Sequence, residues 1–200
     1  MTKKNDKHST DTPEEHLSAA DPILSQLIVK FGKCTLFQRN YDPYGTLVRS
    51  IISQQLSAKV ADTIEGRVLA LVQDFNPANI LEIPIDRLRE AGLSGAKSRY
   101  IHELSSRVID GRMNFDDLHA KSNDEAIAIL SELPGVGRWT AEMFLIFGLG
   151  RSDVLAQGDA GLKRAVRLLY GEKAVFEKVG KKWKPFRSVA SWYLWKYLDS

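Results

Sequence analysis

The sequence has a single cysteine, Cys34, among its 200 residues. One thiol cannot form an intrachain disulfide, and it cannot supply the ligands of an iron–sulfur cluster or a four-cysteine zinc site. The histidines, His8, His16, His102 and His119, lack the spacing of a metal-ligand motif. The sequence therefore excludes a disulfide framework, predicts no metal site built from these side chains, and is typical of a reducing, intracellular compartment.

Long apolar runs are absent as well. The first residues, MTKKNDKHSTDTPEE, are polar, so they predict a disordered tail over residues 1–15 and neither a signal peptide nor a membrane anchor. Alternating strand patterns are missing, whereas helical apolar periodicity recurs along the chain. We therefore predict an all-α domain over residues 16–200 with roughly nine or ten helices, the first over 16–31.

The excess of positive charge is small. A formal net charge of +3 permits nucleic-acid binding without requiring it. Residues 163–187 are more basic, with only Glu172 and Glu177 opposing the following positive side chains: Lys163, Arg164, Arg167, Lys173, Lys178, Lys181, Lys182, Lys184 and Arg187. Such a cluster suits a phosphate-facing rim, but a solvated helix face would have the same composition.

A polar interruption, Ser53–Ser57, divides a long segment of helical apolar periodicity. One interpretation is two helices joined by a short corner at Gln54–Leu56, with Ser57 capping the second helix. The other is one continuous helix that exposes two glutamines. The pattern favours neither interpretation.

A glycine-rich turn, Leu133-Pro134-Gly135-Val136-Gly137, separates two helical patterns. Its glycines permit backbone angles that other residues resist, and they leave the N–H groups at the start of the next helix uncovered. Uncovered N–H groups at the positive end of a helix suit a phosphate oxygen. An ordinary connection between helices would use the same residue types, so both interpretations stay open.

Asp159 lies at the predicted start of a basic helix. Asp is among the best residues for the N-cap position, so a purely structural role is one interpretation. The other is catalytic, because the helix dipole, Lys163 and Arg164 would keep the carboxylate ionised. An ionised carboxylate can stabilise a cationic sugar or orient water to attack it.

Two motifs, LPGVGRWTA over residues 133–141 and GDAGLKR over residues 158–164, resemble those of the helix-hairpin-helix base-excision DNA glycosylases. Three further segments resemble the alkylpurine branch of that superfamily, DNA-3-methyladenine glycosylase II. They are ISQQLS over residues 52–57, Gly92-Leu93-Ser94 with Lys97, and WKPFRS over residues 183–188 leading into Trp192–Trp195. The resemblance extends from about Leu17 to the C-terminus.

The resemblance implies two helical lobes with a cleft between them, into which the target nucleotide is flipped from duplex DNA. Asp159 takes the position of the catalytic aspartate and Gln55 that of a wedge that enters the duplex. Trp139 takes the position of a base-pocket aromatic, with plain core packing as the alternative, and Tyr44 and Phe37 are further pocket candidates. The other residues expected to contact DNA are Gly135, Val136, Gly137, Arg138, Thr140 and Lys163, and the carbonyls of Leu133 and Val136 are candidates for a monovalent cation.

The residue at position 139 narrows the implied chemistry. Bifunctional relatives carry a nucleophilic lysine there, so Trp139 implies hydrolysis by water without strand-cutting lyase activity. The resemblance thus implies a monomeric, cofactor-free enzyme of the bacterial cytoplasm or the nucleus, with no membrane partner, that removes 3-methyladenine and 7-methylguanine from duplex DNA. A non-catalytic DNA damage-sensing module is the alternative, and a bifunctional glycosylase/lyase is a third hypothesis.

One segment departs from the pattern of the family. Many relatives have an acidic residue immediately before the catalytic Asp and a proline slightly earlier, where this chain has Ala156-Gln157-Gly158. We expect this departure to affect the shape of the base pocket and the substrate range, and to leave the role of Asp159 unchanged.

Overall fold

The computed structural model describes residues 12–38 and 42–200. These residues form thirteen α-helices and one short 3₁₀ helix, without a β-strand, which confirms the predicted all-α fold. The α-helices are, in chain order, α1 Pro13–Ala20, α2 Pro22–Phe31, α3 Pro43–Ser53, α4 Ala58–Val72, α5 Pro77–Glu82, α6 Ile85–Glu90, α7 Gly95–Ile109, α8 Phe115–Leu118, α9 Asn123–Ser131, α10 Arg138–Phe147, α11 Ala160–Tyr170, α12 Phe176–Val179 and α13 Arg187–Leu198. The 3₁₀ helix, Gly180–Trp183, separates α12 from α13.

The N-terminal helix differs from the expectation. The predicted single helix over residues 16–31 is two helices, because Asp21 ends α1 and its Oδ1 accepts the N–H groups of Ile23 (3.0 Å) and Leu24 (3.5 Å) at the start of α2. Helix α1 begins at Pro13 behind a capping box formed by Thr12 and Glu15. Residues 1–11 of the predicted tail lie outside the described residues. The predicted helix count is too low, partly because one-turn helices such as α8 and α12 show no periodicity.

The polar interruption at 53–57 is a corner between two helices, so the interpretation as one continuous helix is wrong. The Lys97 ammonium, from α7, donates to the carbonyls of Ile52 (2.8 Å) and Gln54 (2.7 Å), which would otherwise be unpaired at the end of α3. Burial lowers the pKa of Lys97. Gln55 follows with φ +59°, in the left-handed region, and Ser57 occupies the N-cap position of α4 without a side-chain hydrogen bond.

The two ends of the chain pack together. Helix α2 packs on α13, and α11 packs on α13 as well. The buried Asp21 carboxylate links these ends, because its Oδ2 accepts the Tyr170 hydroxyl (2.8 Å) and the Trp183 indole N–H (2.9 Å). In the middle of the chain α5 and α6 pack on α7, and α3 packs on α4 and α7. Helix α10 packs on α9 and on α3, and it thereby connects the hairpin to the group formed by α3–α7.

None of the helices in the described part of the chain combines the length and the hydropathy that a bilayer-spanning segment needs.

Candidate active site

A tight turn between α9 and α10 forms the predicted helix-hairpin-helix. Leu133 and Val136 turn their side chains into the core, and the Val136 N–H donates to the Leu133 carbonyl at 3.0 Å. Gly135 has φ +81°, and a Cβ added to it would collide with the Tyr100 ring of α7. Backbone angle and packing therefore both demand glycine at this position.

The other hairpin glycine is open to solvent. Gly137 is the N-cap residue of α10, and it has no side chain that could cap the helix. A Cβ added to Gly137 would meet no heavy atom of the described residues within 4 Å. The first N–H groups of α10 have no carbonyl partner within the helix, and they lie at its positive end. This end of the hairpin has the geometry of a phosphate-binding site.

One amide connects the hairpin to the corner between α3 and α4. Gln54 Nε2 donates to the Gly135 carbonyl at 2.8 Å and lies 3.4 Å from Thr140 Oγ1. Thr140 is buried, and its predicted DNA contact stays a prediction. The next residue, Gln55, is exposed and has a left-handed backbone, a strained conformation that occurs often at functional sites.

Asp159 has the structural role among the two alternatives that the sequence left open, and its catalytic role stays a prediction. Its Oδ1 accepts the Leu162 N–H at 2.7 Å, so it caps α11. Its Oδ2 accepts the indole N–H of Trp139 at 2.9 Å. The residue is 8% exposed, and each carboxylate oxygen retains a free acceptor direction. Lys163, which is also predicted to contact DNA, is half-buried in the first turns of α11.

Trp139 is no ordinary core residue, because 46% of it is exposed. Its N–H edge is held by Asp159 while much of the ring surface stays accessible. Core packing, the alternative for Trp139, is therefore wrong. The structure brings together Trp139 and Asp159, which are 20 residues apart in the chain.

No hydrogen bond or ring contact among the described residues links the two other aromatic candidates to this pair. Tyr44 is buried, its hydroxyl is 2.7 Å from Ser105 Oγ, and burial raises the pKa of Tyr44 to about 12. It lines a cavity with Val108 and Phe115 that neither Trp139 nor Asp159 lines. Phe37 is partly exposed in the loop that precedes the undescribed residues 39–41. A role of either side chain in the base pocket stays a prediction.

Sequence reasoning missed two further features, an acid in contact with the segment before Asp159 and an aromatic stack at the end of α10. Glu142 is fully buried, and its carboxylate accepts from Arg138 Nε at 3.0 Å and from the Gly158 N–H at 2.8 Å. Phe147 and Trp195 stack with ring centroids 5.7 Å apart. Phe147 lines a cavity of about 520 Å³ between α3 and α4. An acid directly before the apolar run Met143–Phe147 was the available signal for Glu142, whereas the aromatics follow the helical periodicity of core residues.

The chain resembles known proteins over most of its length. Residues 48–186 match the family model described as HhH-GPD superfamily base excision DNA repair protein. The alkylbase DNA glycosidase-like protein mag2 of Schizosaccharomyces pombe is 34% identical, over 92% of this chain and 91% of that protein. DNA-3-methyladenine glycosylase 1 of the same yeast is 31% identical, over 92% of this chain and 85% of the relative.

Solved structures agree with the sequence relatives. The crystal structure of a DNA-3-methyladenine glycosidase from Bacillus halodurans has a TM-score of 0.81 and 40% identity, and the match covers 94% of this chain and 90% of that one. The S. pombe 3-methyladenine DNA glycosylase Mag1, solved in complex with abasic DNA, has a TM-score of 0.77 and 31% identity, with 92% and 95% covered. With the hairpin, Trp139 and Asp159 in place, the chain belongs to the HhH-GPD superfamily of base excision DNA repair proteins, as the resemblance implied.

Proposed function

We propose that the protein is a monofunctional DNA glycosylase that hydrolyses the bond between an alkylated purine and its deoxyribose in duplex DNA. The observation that carries the proposal is the contact between the Trp139 indole and the Asp159 carboxylate beside the hairpin. The names of the relatives, DNA-3-methyladenine glycosylases from yeast and bacteria, support the choice of alkylated purines. The proposed substrates are 3-methyladenine and 7-methylguanine.

The half-exposed Trp139 offers its ring face to the flipped base. Alkylation at these purine nitrogens gives the base a positive charge, and an aromatic face attracts a cation. The N–H edge of the same indole is occupied by Asp159. The aromatic surface and the carboxylate are thus held side by side. A site that binds the base and acts on the adjoining sugar needs this arrangement.

Asp159 acts on the sugar. When the glycosidic bond breaks, its electron pair goes to the purine and neutralises the positive base, while positive charge develops on the sugar. The Asp159 carboxylate stabilises that charge and orients a water molecule, whose oxygen bonds to C1′ and whose proton passes to the carboxylate or to solvent. The Leu162 and Trp139 N–H groups fix the carboxylate orientation before the reaction begins.

No lyase step is part of the proposal. A β-lyase needs an amine that forms a Schiff base with C1′, and the indole of Trp139 is not such a nucleophile. The product is therefore an intact strand with an abasic site.

The contacts that would hold the duplex are proposed from the same geometry. The first N–H groups of α10, from Gly137 onward, bind a backbone phosphate, and Gln55 enters the duplex as the wedge. The packing of α5–α7 as one group and of α2, α11 and α13 as another supports two lobes with a cleft between them. The Leu133 carbonyl already accepts one N–H and retains a second lone pair for a monovalent cation.

Base release from methylated duplex DNA tests the proposed function. We expect free 3-methyladenine and 7-methylguanine by chromatography, strands that break only after alkali, and no covalent adduct after borohydride reduction. Binding to abasic or methylated duplex without release of any base would contradict the proposal and favour a non-catalytic damage-sensing module. A borohydride-trapped adduct would instead indicate a lyase. Because the substrate is DNA, the proposed place of action is the bacterial nucleoid or the nucleus.

Two substitutions separate the roles of Trp139. Trp139→Phe keeps a ring face but removes the N–H that orients Asp159, so base release from a 7-methylguanine duplex should slow by roughly 10-fold or more. Trp139→Ala also removes the stacking surface, which is worth about 1–3 kcal/mol, so we expect a further loss of roughly 10-fold. Single-turnover rates on duplexes containing 7-methylguanine or hypoxanthine measure both effects.

The neutral base hypoxanthine is the control for cation binding. Trp139→Ala should lower the rate on cationic 7-methylguanine more than the rate on hypoxanthine. Equal losses on the two substrates would show that Trp139 does not discriminate by charge.

A further inference from the structure

Three carboxylates are buried in the described part of the chain: Asp21, Glu142 and Asp159. Asp21 accepts four hydrogen bonds and links the ends of the chain, and Asp159 lies in the candidate active site. The Glu142 side chain is completely buried as well, and the proposed chemistry uses none of its atoms. Burying a carboxylate is costly, so its contacts need an explanation.

The Glu142 carboxylate accepts on both of its oxygens. Arg138 Nε donates to Oε1 at 3.0 Å, and the Gly158 N–H donates to Oε2 at 2.8 Å. The side chain of Arg138 is 52% exposed, so water could replace this partner at little cost. The Gly158 N–H belongs to the residue that directly precedes Asp159. The hydrogen bond between Glu142 and the Gly158 N–H is therefore the contact that bears on the position of Asp159.

The segment that ends in Asp159 lies directly against α10. A Cβ added to Gly158 would be 2.9 Å from Glu142 Oε2 and 3.2 Å from the Cα of Trp139. Helix α10 thus contacts successive residues of this segment, Gly158 through Glu142 and Asp159 through the Trp139 indole. Glycine has the freest backbone of all residues, so Gly158 needs such an external partner if Asp159 is to be held in one place.

We propose that Glu142 is a positioning residue for Asp159: its carboxylate holds the Gly158 N–H and so sets the distance of the Asp159 carboxylate from the sugar. This inference rests on the proposed glycosylase function. The position of a catalytic group is kinetically important, because a displacement of about 1 Å can cost about 100-fold in rate. Glu142 itself touches neither base nor sugar.

Two variants of Glu142 test the proposal. Glu142→Leu replaces a buried, partnered carboxylate by an apolar side chain of similar size, an exchange that folded proteins often tolerate. It should lower the single-turnover rate of base release from a 7-methylguanine duplex by roughly 10- to 100-fold. Glu142→Gln keeps an oxygen that accepts the Gly158 N–H while Arg138 turns to solvent, so its rate should stay within about 3-fold of wild type.

Binding and stability readouts separate positioning from a general defect. The Kd of Glu142→Leu for a duplex with a tetrahydrofuran abasic analogue should remain within about 2-fold of wild type, because the turn at residues 133–137 keeps its N–H groups and the half-exposed Arg138 keeps its charge. Asp21→Asn is the matched control: it alters another buried carboxylate, so it should lower the midpoint of thermal unfolding and leave the single-turnover rate of the folded protein unchanged. A wild-type rate in Glu142→Leu, or an equal loss in Glu142→Gln, would overturn the proposal.

A double-mutant cycle tests the route through Gly158. Gly158→Ala pushes the segment away from α10 and should also slow base release. Because both substitutions displace the same segment, the double variant with Glu142→Leu should lose much less than the product of the single losses. Multiplicative losses would contradict a common route. A wild-type protein that releases no base would contradict the proposed function and with it the role of Glu142, whereas an active wild type with an equally active Glu142→Leu would contradict the role of Glu142 alone.

Discussion

Asp159→Asn will abolish base release and leave the fold and DNA binding intact. The amide removes the negative charge that stabilises the developing cation, so the single-turnover rate should fall by at least about 1,000-fold, or roughly 4 kcal/mol. The fold should survive because Asn is as good an N-cap as Asp. Its amide oxygen can still accept the Leu162 N–H at the start of α11.

The measurement has three parts on the same preparation. Base release from methylated duplex reports the chemistry, the Kd for a duplex with a tetrahydrofuran abasic analogue reports binding, and thermal unfolding reports the fold. Asp159→Ala is the useful companion, since it removes the charge and the cap together and should cost about 1 kcal/mol of unfolding free energy beyond Asp159→Asn. If Asp159→Asn releases base at the wild-type rate, Asp159 is only the cap of α11.

The two hairpin glycines should lose different amounts of stability when the same methyl group is added to each. Gly135→Ala places a Cβ against the Tyr100 ring and forces a non-glycine residue to φ +81°, so the free energy of unfolding should fall by about 2–4 kcal/mol. Gly137→Ala meets open space and keeps a negative φ, and only the poorer N-cap should cost up to about 1 kcal/mol.

Denaturant unfolding and DNA titration together check this pair. Both variants should bind a duplex with an abasic analogue less tightly, Gly135→Ala because the turn is displaced and Gly137→Ala because the methyl group covers N–H groups that receive the phosphate. For Gly137→Ala we expect weaker DNA binding together with a loss of unfolding free energy of no more than about 1 kcal/mol. Undiminished affinity in Gly137→Ala would contradict a phosphate at the start of α10.

Local rules predicted the elements of the site and only part of their arrangement. The helix on either side of LPGVG and the cap at Asp159 follow from residue preferences within a few positions, and both are present in the structure. The corner at Gln54 remained ambiguous because its decisive contact comes from Lys97, more than 40 residues away. Apolar periodicity describes one helix at a time, so it cannot indicate a partner such as Lys97 on another helix.

The same limit explains the residues that sequence reasoning missed. Glu142 accepts the Gly158 N–H, and this hydrogen bond exists only because the loop before α11 folds back on α10. The residues near Glu142 in the sequence do not indicate that partner. The resemblance makes Tyr44 a pocket candidate, and no sequence pattern indicates that its hydroxyl lies 2.7 Å from Ser105 Oγ of α7. The sequence predicts one helix in place of α1 and α2 because the apolar spacing continues through both. Asp21, which ends α1 and caps α2, does not interrupt that spacing.

The Gln54 amide has a mechanical consequence. It joins the corner that carries Gln55 to the Gly135 carbonyl of the hairpin, so the proposed wedge and the proposed phosphate grip are held at a set separation. A side chain that enters the duplex has to unstack the bases on either side of it, and the energy of that deformation depends on how well the local bases stack. Under the proposed function, base steps that unstack easily are therefore the ones at which the wedge and the phosphate contact form together at the lowest cost.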